Sequence, residues 1–336
     1  MKQRQAAEQA RRQKFGHVRP AVHADYRGYK VVAIGDDVLF SKAWRTFPDF
    51  LADYIKRVLD PVWGNAEIAK PFEQRHPIMK LYDGMCRFQQ TLQAGPDGLF
   101  GFVPNGPTRA YLLLAYDLYT LRHHMALHAA VIKRLKQKDQ FQGARHELFA
   151  AATCVRAGYE LEYEDERDPT RRHPELIATH KATGQRIAVE AKSRHRPGVW
   201  GRPGSPQPTE GMRVGIYGLL KDALDKPVSY PYVIFIDLNL PPFDGRLLET
   251  PWFPEIGNAV ADLGNKAGIQ DPFNLVVFSN QPDHHRIDDA PAAGGQIVSM
   301  VGRNPRRPAS HPEAIVAIHE AADKFGTIPN TFEEAG

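Results

Sequence analysis

The chain has 336 residues with an apolar fraction of 42% and a charged fraction of 24%, which excludes both a solitary small module and a wholly disordered protein. Its formal net charge of +4 belongs to the start, where Lys2, Arg4, Arg11, Arg12, Lys14 and Arg19 stand against Glu8 and the remainder is close to neutral. Two cysteines, Cys86 and Cys154, exclude a disulfide framework or a Cys-rich zinc site; with no bilayer-length apolar run and no secretion-signal pattern, they imply a cytoplasmic protein.

In chain order, residues 1–28 read as a basic arm, solvated or laid along phosphates. Tyr29 to Ser41 predicts a hairpin, with β-rich runs on either side of Gly35-Asp36-Asp37. From Ala43 to Lys138 the apolar residues recur at helical spacing: Phe50-Leu51, Tyr54-Ile55 and Val58-Leu59, then one long helix or two abutting ones over Pro107 to Lys138, entered through Asn105-Gly106-Pro107. Periodicity weakens and charge rises over Lys133 to Gly143. A boundary is therefore expected near residue 140, dividing a mostly helical domain at 29–140 from a second domain at 141–336.

The second part predicts a helix at Ala144 to Ala157 and strands at Tyr159 to Glu164, Pro174 to His180 and Arg186 to Lys192. A Gly/Pro-rich loop from Arg196 to Gly211, a helix at Met212 to Leu224 and a strand at Tyr232 to Leu240 come next. Helices at Ile256 to Lys266 and Pro312 to Phe325 and strands at Asn274 to Ser279 and Gln296 to Val301 complete the pattern.

The chemistry concentrates in Arg172 to Arg194. Along the strand that ends it, side chains alternate, so Ala188, Glu190 and Lys192 share one face and Ile187, Val189 and Ala191 the other. Thr183-Gly184 supplies a turn, and a two-residue or four-residue loop sets Glu175 opposite Glu190 or Lys192; a bulge would shift that register. Two carboxylates roughly 5 Å apart repel by about 3 kcal/mol at an effective dielectric of about 20, so a positive charge belongs beside them. A divalent, oxygen-seeking cation meets that need, and so does Lys192.

Pro174-Glu175, fourteen intervening residues and Glu190-Ala191-Lys192 resemble the signature of the PD-(D/E)xK nuclease superfamily. The resemblance implies an α/β fold with a restriction-endonuclease-like α-β-β-β-α-β core, here preceded by a mostly α-helical domain. It implies an Mg²⁺-dependent (or Mn²⁺-dependent) endonuclease hydrolysing phosphodiester bonds. DNA is the commonest substrate of the superfamily, RNA is compatible, and defence against foreign DNA or repair are the expected settings. Glu175, Glu190 and the Ala191 carbonyl would hold the metal, Lys192 would position water or offset charge, and Glu147 on the preceding helix would act in an outer metal shell or at a second metal. The sequence departs from the family at Glu175, where Asp is usual, which keeps open a catalytically inactive module of the same fold that binds nucleic acid or a protein.

Arg194 and Arg196 in the loop, with Arg202, and Arg213 and Lys221 on the following helix, are candidates to grip a phosphate backbone. A homodimer is compatible with this reading; a membrane partner is not expected. His124 and His128, one helical turn apart, lack a third ligand at a recognisable spacing. Asp283-His284-His285 falls in an expected loop, and Asp237 reads as an additional acid or a buried hydrogen-bonded residue. Walker A, GxGxxG, HExxH and GxSxG patterns are absent from the sequence.

Overall fold

The basic amino terminus is not a free arm. In the computed structural model, which describes residues 2–93, 95, 101, 103–163, 173–197, 199, 214–243, 245–250, 252–267, 270–285 and 290–336, Lys2–Phe15 form helix α1. Glu8 bridges Arg11 and Arg12 at 2.9 and 2.7 Å, and Phe15, Val18 and Ala21 are buried. Gly16 turns the chain with φ +70°; a Cβ there would collide with the Arg156 carbonyl oxygen, to which the His17 amide donates at 2.8 Å. A few apolar anchors among many charges suffice to dock the segment.

The expected hairpin gains a third strand. β1 (Val22–Tyr26), β2 (Tyr29–Ile34) and β3 (Asp37–Ser41) form an antiparallel sheet in that order, with Val32 and Ile34 in the core. Helices α2 (Phe47–Val58), α3 (Pro61–Ile68), α4 (Pro77–Thr91), α5 (Gly106–Arg122) and α6 (Ala129–Leu135) follow. Thr46 and Asp49 close a capping box on α2, and the Asn105 side chain accepts from the Thr108 amide at 3.0 Å to start α5. Between α5 and α6 the chain leaves the helix. There the His123 ring pairs with the Pro20 carbonyl at 2.9 Å and His124 accepts from the Arg19 amide at 3.0 Å.

The second part runs α7 (Phe141–Arg156), β4 (Tyr159–Tyr163), β5 (Leu176–His180), β6 (Arg186–Ser193), α8 (Ile216–Leu224), β7 (Tyr232–Asp237), α9 (Phe253–Ala267), β8 (Leu275–Asn280), β9 (Gln296–Val301), α10 (Pro312–Lys324) and α11 (Phe332–Ala335). One sheet holds β4 to β9 in sequential order; β6, β7 and β8 are parallel and the outer pairings antiparallel. β7 and β8 are buried throughout, as parallel strands covered on both faces must be. The order α-β-β-β-α-β over α7 to β7 is the order expected.

Alternation divides the sheet between two layers. Leu176, Ala178, Val189, Ala191, Val233 and Phe235 pack with α7 and α10, whereas Ile177, Ala188, Ile234 and Ile236 pack with α8 and α9. The first of these cores does not stop at residue 140: it joins Val32, Phe47 and Tyr119 to Phe141, Leu148 and Val233. The expected boundary therefore crosses continuous packing. Periodicity weakens there because α7 begins at a change of partners, with its own residues still buried on both sides of the break. Among the described residues, no helix is long and apolar enough to cross a membrane.

Candidate functional site

The strand register brings the two acids together. β5 and β6 pair with Leu176 opposite Val189 and Ala178 opposite Ile187, and His180 and Gln185 close a four-residue loop in which Gly184 takes φ +72°. Continued one residue beyond Leu176, that register would set Glu175 across from Glu190. At Glu175 the ladder slips, its amide donating to the Val189 carbonyl at 3.0 Å, one residue out of step as in a bulge. The carboxylate still turns to the α8 side, where Lys226 meets it.

Glu190 is 0% exposed. Its Oε1 lies 2.8 Å from Lys192 Nζ and 2.7 Å from Lys226 Nζ, and Lys226 Nζ lies 3.2 Å from Glu175 Oε1. Two acids and two lysines thus balance in charge within one cleft. Both ammonium groups approach the same oxygen of Glu190. Burial, with Glu175 adding to it, raises the Glu190 pKa to about 7 against the pull of Lys192 and Lys226. For Lys226, burial acts downward, but Glu190 and Glu175 outweigh it and raise its pKa.

Lys226 escaped the sequence reading. It follows the end of α8, outside the signature, and its approach depends on that helix crossing the sheet face. A signal did exist: a like-charge pair needs cations from whatever packs on its face, and the helix carboxyl terminus favours a lysine.

Glu147 is placed elsewhere. It lies on α7, across the sheet, where Arg134 grips it with two hydrogen bonds of 2.6 and 2.7 Å. It does not close a three-acid cluster, and among the described residues no three His, Cys, Asp or Glu side chains form a metal-holding group. The Tyr163 hydroxyl, whose pKa is raised first by burial, feels both Glu147 and Glu175. Ala191 pairs with Phe235 and turns its methyl group into the α7 core.

The expected phosphate contacts divide. Lys221 is exposed on α8, and the half-buried Arg194 lays its guanidinium against Gly215. Arg196 is not at the surface: it is buried, donates to the Leu238 carbonyl at 3.1 and 3.3 Å, and has its pKa lowered to about 10 by burial and Arg194. Arg202 and Arg213 lie outside the described residues.

The secondary candidates are structural. Asp237 is buried, accepting from Ser193 Oγ at 2.8 Å and from the Asn239 amide at 3.2 Å. Asp283 pairs with Arg109 at 3.0 Å, while His284 and His285 turn to Asn239 Oδ1, so the expected loop is a buried turn. Burial lowers the His124 pKa to about 3, and His128 stacks on Tyr163. Compared with known proteins, the chain matched no family model, no curated protein and no solved structure.

Proposed function

We propose that the protein is a metal-dependent nuclease of the PD-(D/E)xK type, hydrolysing phosphodiester bonds, with DNA as the favoured substrate. The observation that carries this reading is Glu190, fully buried with its Oε1 2.8 Å from Lys192 and 2.7 Å from Lys226, in one cleft with Glu175. A fully buried carboxylate beside a second acid costs stability that an ordinary surface ion pair does not, and such sites concentrate where chemistry is done. The α-β-β-β-α-β element order supports it in addition.

The residues fit a hard cation, being two carboxylates in one cleft next to a backbone carbonyl. Glu175, Glu190 and the Ala191 carbonyl would hold Mg²⁺ or Mn²⁺, which when bound supplies a Lewis acid for the phosphate and acidifies water. Lys192, 2.8 Å from Glu190, has its ammonium where it can stabilise negative charge growing on phosphate. Lys226 holds the two acids together when no other cation does, and must yield part of that contact to one. Lys221 and Arg194 would steer the backbone.

One observation favours a second reading. Two lysines already neutralise the two acids, so the cleft is electrostatically complete without metal, as an inactive nucleic-acid-binding or protein-binding module would have it. The test is cleavage of supercoiled and linear DNA by the full chain in Mg²⁺ or Mn²⁺, with Mn²⁺ binding followed by electron paramagnetic resonance. Metal binding with cleavage abolished in Glu190→Ala and Lys192→Ala is expected. Neither cleavage nor Mn²⁺ binding by the wild type would leave the inactive module; undiminished cleavage by both variants would remove the site assignment.

A further inference from the structure

The β1–β3 sheet has one face turned to the core and one turned outward. Val32 and Ile34 fill the core on one side. On the other, the ladder aligns Tyr26 with Tyr29, Ala24 with Val31 and Phe40, and Val22 with Ala33 and Val38, eight positions without a charged side chain. Val22, Tyr26, Val38 and Phe40 are 60%, 59%, 63% and 59% exposed. A soluble chain rarely leaves so continuous an apolar sheet face uncovered.

We infer that this face pairs with its counterpart on a second copy of the chain, forming a two-fold dimer through face-to-face sheet packing. The inference is independent of the chemistry at Glu190. Three features point to a second copy as the occupant, and the first is shape. The face is bulky at the Tyr26-Tyr29 end, where Tyr29 and Phe40 meet edge to face, and shallow at the Val22-Ala33-Val38 end. A two-fold axis lying in the interface and running across the strands puts the bulky end of each copy on the shallow end of the other.

The second is charge. Arg27 and Lys42 flank the aromatic end, over the rings of Tyr26 and Tyr29 at 5.2 and 4.8 Å. Asp36 sits at the opposite end, in the β2–β3 turn, its side chain fully exposed although Arg122 approaches within 3.6 Å, while Asp37 shares the core face with Ile34 and pairs with Arg122 at 3.2 Å. The same axis therefore brings Arg27 and Lys42 of one copy to the Asp36 end of the other, twice. The third is size. With roughly 100 Å² on each of the four most exposed side chains and less on the rest, the face offers on the order of 500–600 Å² per copy, so a dimer buries about 1,000–1,200 Å², the lower edge of specific interfaces.

The axis passes through the middle row, so Val31 of each copy meets its own counterpart. Sedimentation velocity on the full chain from about 1 to 100 μM should show a monomer–dimer equilibrium with Kd on the order of 10 μM, weakened by salt. Phe40→Asp should weaken it at least tenfold, Lys42→Glu several-fold, and Lys42→Glu with Asp36→Lys should recover most of the loss. In a Cys86→Ser background, Val31→Cys should cross-link as a dimer with a bis-maleimide whose spacer spans the roughly 10 Å between packed sheets. Far-ultraviolet circular dichroism checks folding, and the surface charge variants carry the test if Phe40→Asp does not fold. A protein monomeric across the range, a dimer unaffected by both Phe40→Asp and Lys42→Glu, or a dimer that Val31→Cys cannot trap would overturn the inference.

Discussion

Glu190 and Asp237 are both acids buried on adjoining strands, but they face opposite layers and their surroundings differ. Asp237 looks toward α7 and is satisfied by a hydroxyl and a backbone amide. Glu190 looks toward α8 and has two ammonium groups at ion-pair distance and a second acid, Glu175, in the same cleft. Burial alone does not separate the two acids. A like charge nearby does, because it leaves Glu190 ready to bind a cation or a proton.

The largest expected effect tests that contrast directly. Glu190→Ala or Lys192→Ala should reduce the proposed DNA cleavage by about a thousandfold or more, while Asp237→Asn, measured in the same assay, should stay within about tenfold of wild type. Equal losses would erase the distinction between the two acids.

The next effect is on stability. Glu190 has a folded pKa of about 7 against 4.5 for the ordinary carboxyl, so the native state prefers it protonated. Its favourable contribution is complete below about pH 4.5 and is lost as pH rises through about 7, a change of about 3 kcal/mol. Glu190→Gln should therefore gain about that much on wild type between pH 4.5 and pH 8, read by urea unfolding in chelator. A pH-independent difference would count against the raised pKa.

Lys226→Met removes the ammonium shared by Glu175 and Glu190. It should cost about 2–3 kcal/mol at neutral pH, less in acid where Glu190 can protonate, and should strengthen Mn²⁺ binding by leaving two acids with one lysine. The smallest effects separate the two arginines. Arg194→Ala should weaken DNA binding severalfold and reduce the salt slope by about one, whereas Arg196→Ala should lose about 1 kcal/mol of stability, with the salt slope unchanged, because its guanidinium serves the Leu238 carbonyl.

Much of the second part was legible because its signals are local. The alternation along Arg186–Ser193, the apolar stripe of α7 and the Gly184 turn each depend on near neighbours, and the predicted elements fall within a few residues of those observed. The facing of Glu175 and Glu190 was legible for the same reason, since a short loop restricts the register of a hairpin to few values. Glu147 was misplaced because a helix sequence shows which of its residues are polar but not which layer of the sheet the helix covers. Arg196 was misread because a basic residue in a loop gives no sign that a carbonyl at a strand end will bury it. The amino-terminal segment was misread because its charges outnumber the Phe15, Val18 and Ala21 side chains that anchor it.

By itself, the sequence determined the α/β class, the order of elements from α7 to α10 and the common face of Glu190 and Lys192, all consequences of periodicity and short connections. Tertiary structure decided that Lys226 joins those acids, that Glu147 lies across the sheet with Arg134, that the core runs unbroken past residue 140 and that the β1–β3 sheet carries a second, uncovered apolar face. Each of these is a contact between segments far apart in the chain. Such contacts follow from how layers stack, and no local pattern of residues encodes them.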